Sequence, residues 1–181
     1  MLLLAVSILF AKIRFLFGIT IIATISCEIM AKRKLRYLAR KLFLLEKMKI
    51  SRGLKNNNPL NIRRNKTKWQ GLAEKQNDCA FFTFVSPVWG YRAAFVTLRN
   101  YKKVHGIQTI AKWVARWAPP VENDTAAYIA FVSRKAGIAP DVPVDINDKE
   151  IMCRIVAAMS HMENGVPANA ADVERGWELA L

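Results

Sequence analysis

Three helix terminators, Pro119-Pro120, Gly137 and Gly165, divide the C-terminal half of the chain and fix what it can fold into. From Gly90, Tyr91, Ala94, Phe95, Leu98 and Tyr101 recur at spacings of three and four, one apolar stripe of an amphipathic helix. A second helix is predicted from about Thr109 to Trp117, with Ile110, Trp113, Val114 and Trp117 inward, stopped by Pro119-Pro120. A third begins at Asn123 or Asp124, turns Tyr128, Ile129 and Val132 inward and ends at Gly137. A fourth opens on an Asn147–Glu150 capping box, carries Ile151, Ile155, Ala158, Met159 and Met162, and closes at Gly165 as a left-handed terminal residue. A last short helix runs from Ala170 to Ala180 around Val173 and Trp177.

Before Gly90 the pattern is different. Residues 51–72 are rich in Asn, Gly, Lys and Arg, and read as an irregular polar segment. Cys79 to Val85 is short, aromatic and β-prone, a strand predicted to pair near Trp69. No βαβ alternation, Gly-rich phosphate loop or internal repeat occurs. The expected fold is mainly α: one helical domain over residues 48–181 with a short β-element.

Residues 1–47 form a separate, apolar then basic extension. They hold nine Lys/Arg against two Asp/Glu, so half of the chain's +14 charge lies in about a quarter of its length. Two apolar runs, 1–10 and 15–27, are split by Lys12 and Arg14. Neither alone reaches the ~20 residues that span a bilayer, though together they suffice for a membrane segment. The basic cluster from Lys32 to Lys41 would then stay on the cytoplasmic side. The alternative is that translation starts at Met30 or Met48. The globular part has no basic run with interleaved aromatics, which disfavours nucleic acid as a partner. Cys27, Cys79 and Cys153 form no CxxC pair and read as buried free thiols in a reducing compartment, with a Cys79–Cys153 bridge as the alternative.

The chemistry is narrow. There is no nucleophile elbow and no HExxH; His161-Met162-Glu163 mimics the HxE of zinc deaminases but lacks its PCxxC partner. No metal or cofactor is implied. Glu163 stands out because it lies in the last turn of a strong amphipathic helix. There the dipole's negative end disfavours ionisation and keeps a carboxyl protonated, as a general acid for glycoside cleavage requires. A solvated glutamate in a fraying turn is the plainer account. The run Asn56-Asn57-Asn58-Pro59-Leu60-Asn61-Ile62-Arg63 offers amides suited to sugar acetamido and hydroxyl groups, or equally a loop bonding its own backbone. Glu122-Asn123-Asp124-Thr125 with Tyr128 is a third cluster, otherwise explained by helix capping.

Taken in order, Arg52-Gly53-Leu54-Lys55-Asn56-Asn57-Asn58-Pro59-Leu60-Asn61-Ile62-Arg63, Trp69-Gln70-Gly71, Phe82–Phe84, Gly90-Tyr91-Arg92-Ala93, Trp117-Ala118-Pro119-Pro120, Glu122-Asn123-Asp124-Thr125 and Glu163-Asn164-Gly165 resemble a phage and prophage protein family. Its members are usually described as virion structural proteins, some as lysozyme-like or peptidoglycan hydrolases. The resemblance covers nearly all of residues 51–166. A looser likeness is to autolysin-type glucosaminidases, in which a helix ending in the catalytic Glu precedes an Asn-rich segment, a Trp-Gly pair and an aromatic strand. Here that helix comes last, as in a circular permutation.

The resemblance implies a lysozyme-like domain in the virion or bacterial cell envelope. Its function would be a peptidoglycan glycosidase or lytic transglycosylase; the alternative is a non-catalytic virion structural protein on the same fold. Glu163 would be the proton donor, and Asn57, Asn58, Asn61, Arg63, Asp124 and Tyr128 would bind substrate. Asp124 and Glu122 are the candidates for a second carboxylate. The implied partners are peptidoglycan glycan strands, other virion proteins and a membrane contacted through residues 1–47.

Overall fold

The computed structural model describes residues 30, 32–39, 50–121 and 124–181. The chain divides into two compact units, Met1–Lys49 and Ile50–Leu181. In the first, residues 32–39 are helical and exposed. The expected membrane segment over residues 1–27 lies outside the described residues. Among the described residues, no helix is long and apolar enough to cross a membrane.

The second unit is mainly helical. Its helices are α1 (Arg52–Lys55), α2 (Pro87–His105), α3 (Ile110–Trp117), α4 (Thr125–Ala136), α5 (Lys149–Asn164) and α6 (Ala170–Leu179). The terminators act where the sequence puts them: Gly137 and Gly165 both adopt left-handed backbone after α4 and α5. Thr109 and Asp124 cap α3 and α4 by accepting from Lys112 N and Ala127 N.

Four details differ from expectation. Helix α2 starts at Pro87 rather than Gly90, because proline's fixed φ suits a first helical turn that needs no amide donor. Helix α5 is capped by Asp148, which accepts from Ile151 N, one residue after the expected Asn147. Its buried stripe is rotated to include Met152 and Val156, leaving Ile151 half-buried and Met162 exposed. The four-residue α1, capped by the Ser51 hydroxyl, has no apolar period to announce it.

The β-element is slighter than a strand. Two isolated antiparallel bridges take its place: Leu72 with Phe84, in the expected stretch near Trp69, and Arg63 with Phe81, which was not expected. The period of two still holds: Phe82 and Phe84 are buried, while Phe81 and Thr83 are only partly so.

One core joins these parts, with Leu60, Phe84, Phe95, Leu98, Trp113, Met152, Ile155 and Met159 fully buried. Helices α2 and α6 pack together, as do α4 and α5. Gly176 permits the first approach, since a Cβ there would meet Tyr91 Cβ at 2.6 Å. The Phe95 and Trp177 rings meet edge-on at 5.3 Å. Arg92 and Arg99 donate to the final carbonyls of Leu179 and Ala180, neutralising the end of α6.

Candidate functional site

The start of α4 and the Asn-rich loop converge on Glu163 at the end of α5. Tyr128, on the first turns of α4, is buried and donates its hydroxyl to Glu163 Oε1 at 2.9 Å. Asn61 donates its amide to Oε2 at 2.8 Å. Each carboxyl oxygen thus receives one neutral donor. Burial pushes the Glu163 carboxyl above the ordinary glutamate range, and the two hydrogen bonds oppose that rise without cancelling it. The last carbonyls of α5 act in the same direction as burial. Burial, with Glu163 adjacent, likewise raises the Tyr128 hydroxyl, so Tyr128 stays a neutral donor.

Residue 164 places the loop over this carboxyl. Asn164 Nδ2 donates to Pro59 O at 2.7 Å, and its Oδ1 accepts from Ser51 Oγ at 2.6 Å. Gly53 sits under this knot: a Cβ there would meet Asn164 Oδ1 and Asn61 Oδ1, both at 2.8 Å. Asn61 itself holds φ +50°, a left-handed conformation that asparagine tolerates better than most residues. Glu163 is therefore no fraying surface residue.

Glu163 and Asn61 open into a cleft of about 410 Å³. Arg63, Phe81, Arg116, Trp117, Ala118 and Pro119 complete its lining. The aromatic and cationic side chains Phe81, Trp117 and Arg116 had no predicted role at the site; Trp117, expected inward, is only partly buried. Phe81 was recoverable from alternation, being out of phase with the buried Phe82 and Phe84. Trp117 and Arg116 belong to a run whose proline pair reads as a helix stop, and nothing local says that the stop borders a cleft.

The other predicted site residues go elsewhere. Asn58 is fully buried; its amide donates to Ile62 O and Phe82 O and accepts from Ile62 N. Asn57 donates to Phe84 O. Both belong to the scaffold of the loop. Asp124 is exposed, caps α4 and does not line the cleft. Glu122 lies outside the described residues.

A second groove, of about 390 Å³, lies between α5 and α6 beside Cys153. Burial pushes that thiol up to about 11, so it is protonated at neutral pH and supplies no nucleophile. Cys79 and Cys153 are both free thiols, Cys79 being exposed rather than buried.

No family model matches the chain. Protein P5 of Pseudoalteromonas phage PM2 is 41% identical to it over 132 residues, covering 71% of this chain and 81% of that protein. The chain belongs to the family of that phage protein. A phage association thus stands on sequence identity.

Proposed function

We propose that the second unit is a phage-borne, lysozyme-like enzyme that cleaves the glycan strands of bacterial peptidoglycan, with Glu163 as its proton donor. The observation that carries this reading is a half-buried carboxyl with a raised pKa, fixed by Tyr128 and Asn61 at the base of a cleft. Glu163 would hand its proton to the glycosidic oxygen as the bond to the anomeric carbon breaks. Asn61 and Tyr128 orient the carboxyl, and Phe81 and Trp117 offer apolar faces to sugar rings.

Among the described residues, Glu163 is the one carboxylate lining the cleft. This favours routes that need a single acidic group: participation by the substrate's own acetamido group, or attack by its C6 hydroxyl in a lytic transglycosylase. In either, Glu163 would act as acid and then as base.

The test is mass spectrometry of peptidoglycan incubated with the full-length chain and with Glu163→Gln. Reducing-end or anhydro-sugar products from the unsubstituted chain alone are expected, and the type of end distinguishes hydrolysis from transglycosylation. Binding to peptidoglycan with no product would instead make this a non-catalytic virion protein.

A further inference from the structure

Two features of Asn61 are unfavourable for a residue that only builds a loop. Its backbone is left-handed, at φ +50°, and its Oδ1 is buried without a partner. Both accompany an amide aimed at Glu163 Oε2. The loop's deepest anchors, Leu60 and Asn58, face the core and do not supply that aim.

Asn164 is placed to supply it. It follows Glu163 at the end of α5, and both ends of its amide are engaged. Nδ2 donates to Pro59 O in the loop and to Ser160 O one turn back in α5, each at 2.7 Å. Oδ1 accepts from Ser51 Oγ, the hydroxyl that caps α1. Ser160 is fixed in turn by the buried Tyr91 hydroxyl of α2, at 3.0 Å. Two consecutive residues of α5 therefore grip the loop side by side, Asn164 at Pro59 and Glu163 at Asn61. Gly53 packs so closely on the two amide oxygens that a side chain there would displace both. An asparagine that only finished a helix would need the Ser160 bond alone. The bonds to Pro59 and Ser51 reach 105 and 113 residues back along the chain and add nothing to a helix end.

We infer that Asn164 is a positioning residue for Glu163: by fixing Pro59 and Ser51 against α5, it keeps the Asn61 amide on the Glu163 carboxyl. This rests on the reading of Glu163 as the proton donor. The Asn61 bond favours the charged carboxylate and opposes the rise that burial causes. Asn164 thus acts on the acid through Asn61. The other titratable or charged groups around the carboxyl are Tyr128 of α4, Arg63 of the loop and Arg116 of α3, with His161 on α5 itself. None is a partner of Asn164, whose bonds go to Ser51, Pro59 and Ser160.

The experiment is a pH titration of the Glu163 carboxyl by carbon-13 NMR in the full-length chain, its signal assigned by loss in Glu163→Gln. Asn164→Ala should raise the Glu163 pKa. So should Asn61→Gly, in which glycine also suits the left-handed backbone. Adding Asn164→Ala to Asn61→Gly should move the titration no further, because the path between them is already cut. In cleavage assays the alkaline limb should move up in Asn164→Ala, with kcat lowered about tenfold and KM within about twofold of the parent.

A residue that merely braces the loop predicts a lower melting temperature with Glu163 titrating as in the parent. That result, or a shift just as large in the Asn61→Gly background, would overturn the inference. Should Asn164→Ala not fold, Ser51→Ala removes one bond of the same knot and should raise the pKa by a smaller margin; an unmoved titration there overturns the inference equally. The titration needs no substrate, so the two claims separate. A shift without strand cleavage keeps the coupling of Asn164 to Glu163 and removes the enzyme. Cleavage with an unmoved titration keeps the enzyme and removes the coupling.

Discussion

Two carboxylates of this domain, Asp78 and Glu163, are both fixed by hydrogen bonds and are driven in opposite directions. Asp78 takes a bidentate pair from Arg52, an amide from Asn56 and the backbone N–H groups of Ala80 and Phe81. That arrangement holds it far below the usual carboxylate range, the Arg52 bond contributing most. Glu163 takes one donor per oxygen, both neutral, in a site where desolvation dominates and its pKa rises. A guanidinium with three further donors makes a permanent anion that ties the loop together. Two neutral donors and burial make an acid that can give up its proton. The comparison separates a structural brace, Asp78, from Glu163, the carboxyl that the proposed mechanism uses.

The largest effect should follow from removing the acid. On the proposed mechanism, Glu163→Gln lowers the rate of strand cleavage by roughly 10³-fold, within the range for general acids. Stability should move the other way. A carboxyl with a raised native pKa favours the folded state below its unfolded value near ~4.3 and loses that contribution as pH rises through the native value. At neutral pH, Glu163→Gln should therefore melt at or above the parent temperature, the gap narrowing as pH falls. The partnerless Asn61 Oδ1 can turn to accept from the new amide. A clear loss of thermal stability at neutral pH would return Glu163 to a structural role.

Next in size is Asn58, within the same loop but turned from the cleft. Asn58→Ala strips partners from buried backbone groups of Ile62 and Phe82. It should cost on the order of 3 kcal/mol, read from urea denaturation. Replacing Asp78 with asparagine should lower the melting temperature at neutral pH by removing the anion that Arg52 engages. The sign with pH is opposite to that of Glu163. A depressed native pKa gives stability above the unfolded value near ~3.9, lost as pH falls through the native one. Parent and Asp78→Asn should thus converge in acid, and parallel curves would refute the brace.

These contrasts show what was legible in the sequence. Helices α3 to α5 were, because each couples an apolar period to a local terminator, Pro119-Pro120, Gly137 or Gly165, while α2 and α6 were legible from their apolar spacing alone. The position of Glu163 in a last turn was legible for the same reason. The asparagines were not separable. Asn57, Asn58 and Asn61 share a residue type and a loop, and only the fold decides that Asn58 is sealed in the core while Asn61 faces Glu163. Asp78 was invisible because its side-chain partners, 22 and 26 residues away, meet it only after the loop closes. Arg116 and Phe81 were missed because a cleft wall joins segments with no shared period.

The smallest effect is the most discriminating. Tyr128→Phe keeps the buried ring and deletes a single hydrogen bond to Glu163 Oε1. That bond lowers the Glu163 pKa, since it favours the charged carboxylate. Its removal should raise the pKa further and move the alkaline limb of the cleavage–pH profile upward. The maximal rate should fall only a few-fold, because Asn61 still orients the other oxygen. Stability should change by about 1 kcal/mol or less, the hydroxyl's weaker contact to Met159 O at 3.4 Å being lost as well. If Tyr128 merely packs α4 against α5, the profile keeps its limb while the rate changes; a downward shift would mean that the hydroxyl serves the protonated acid instead.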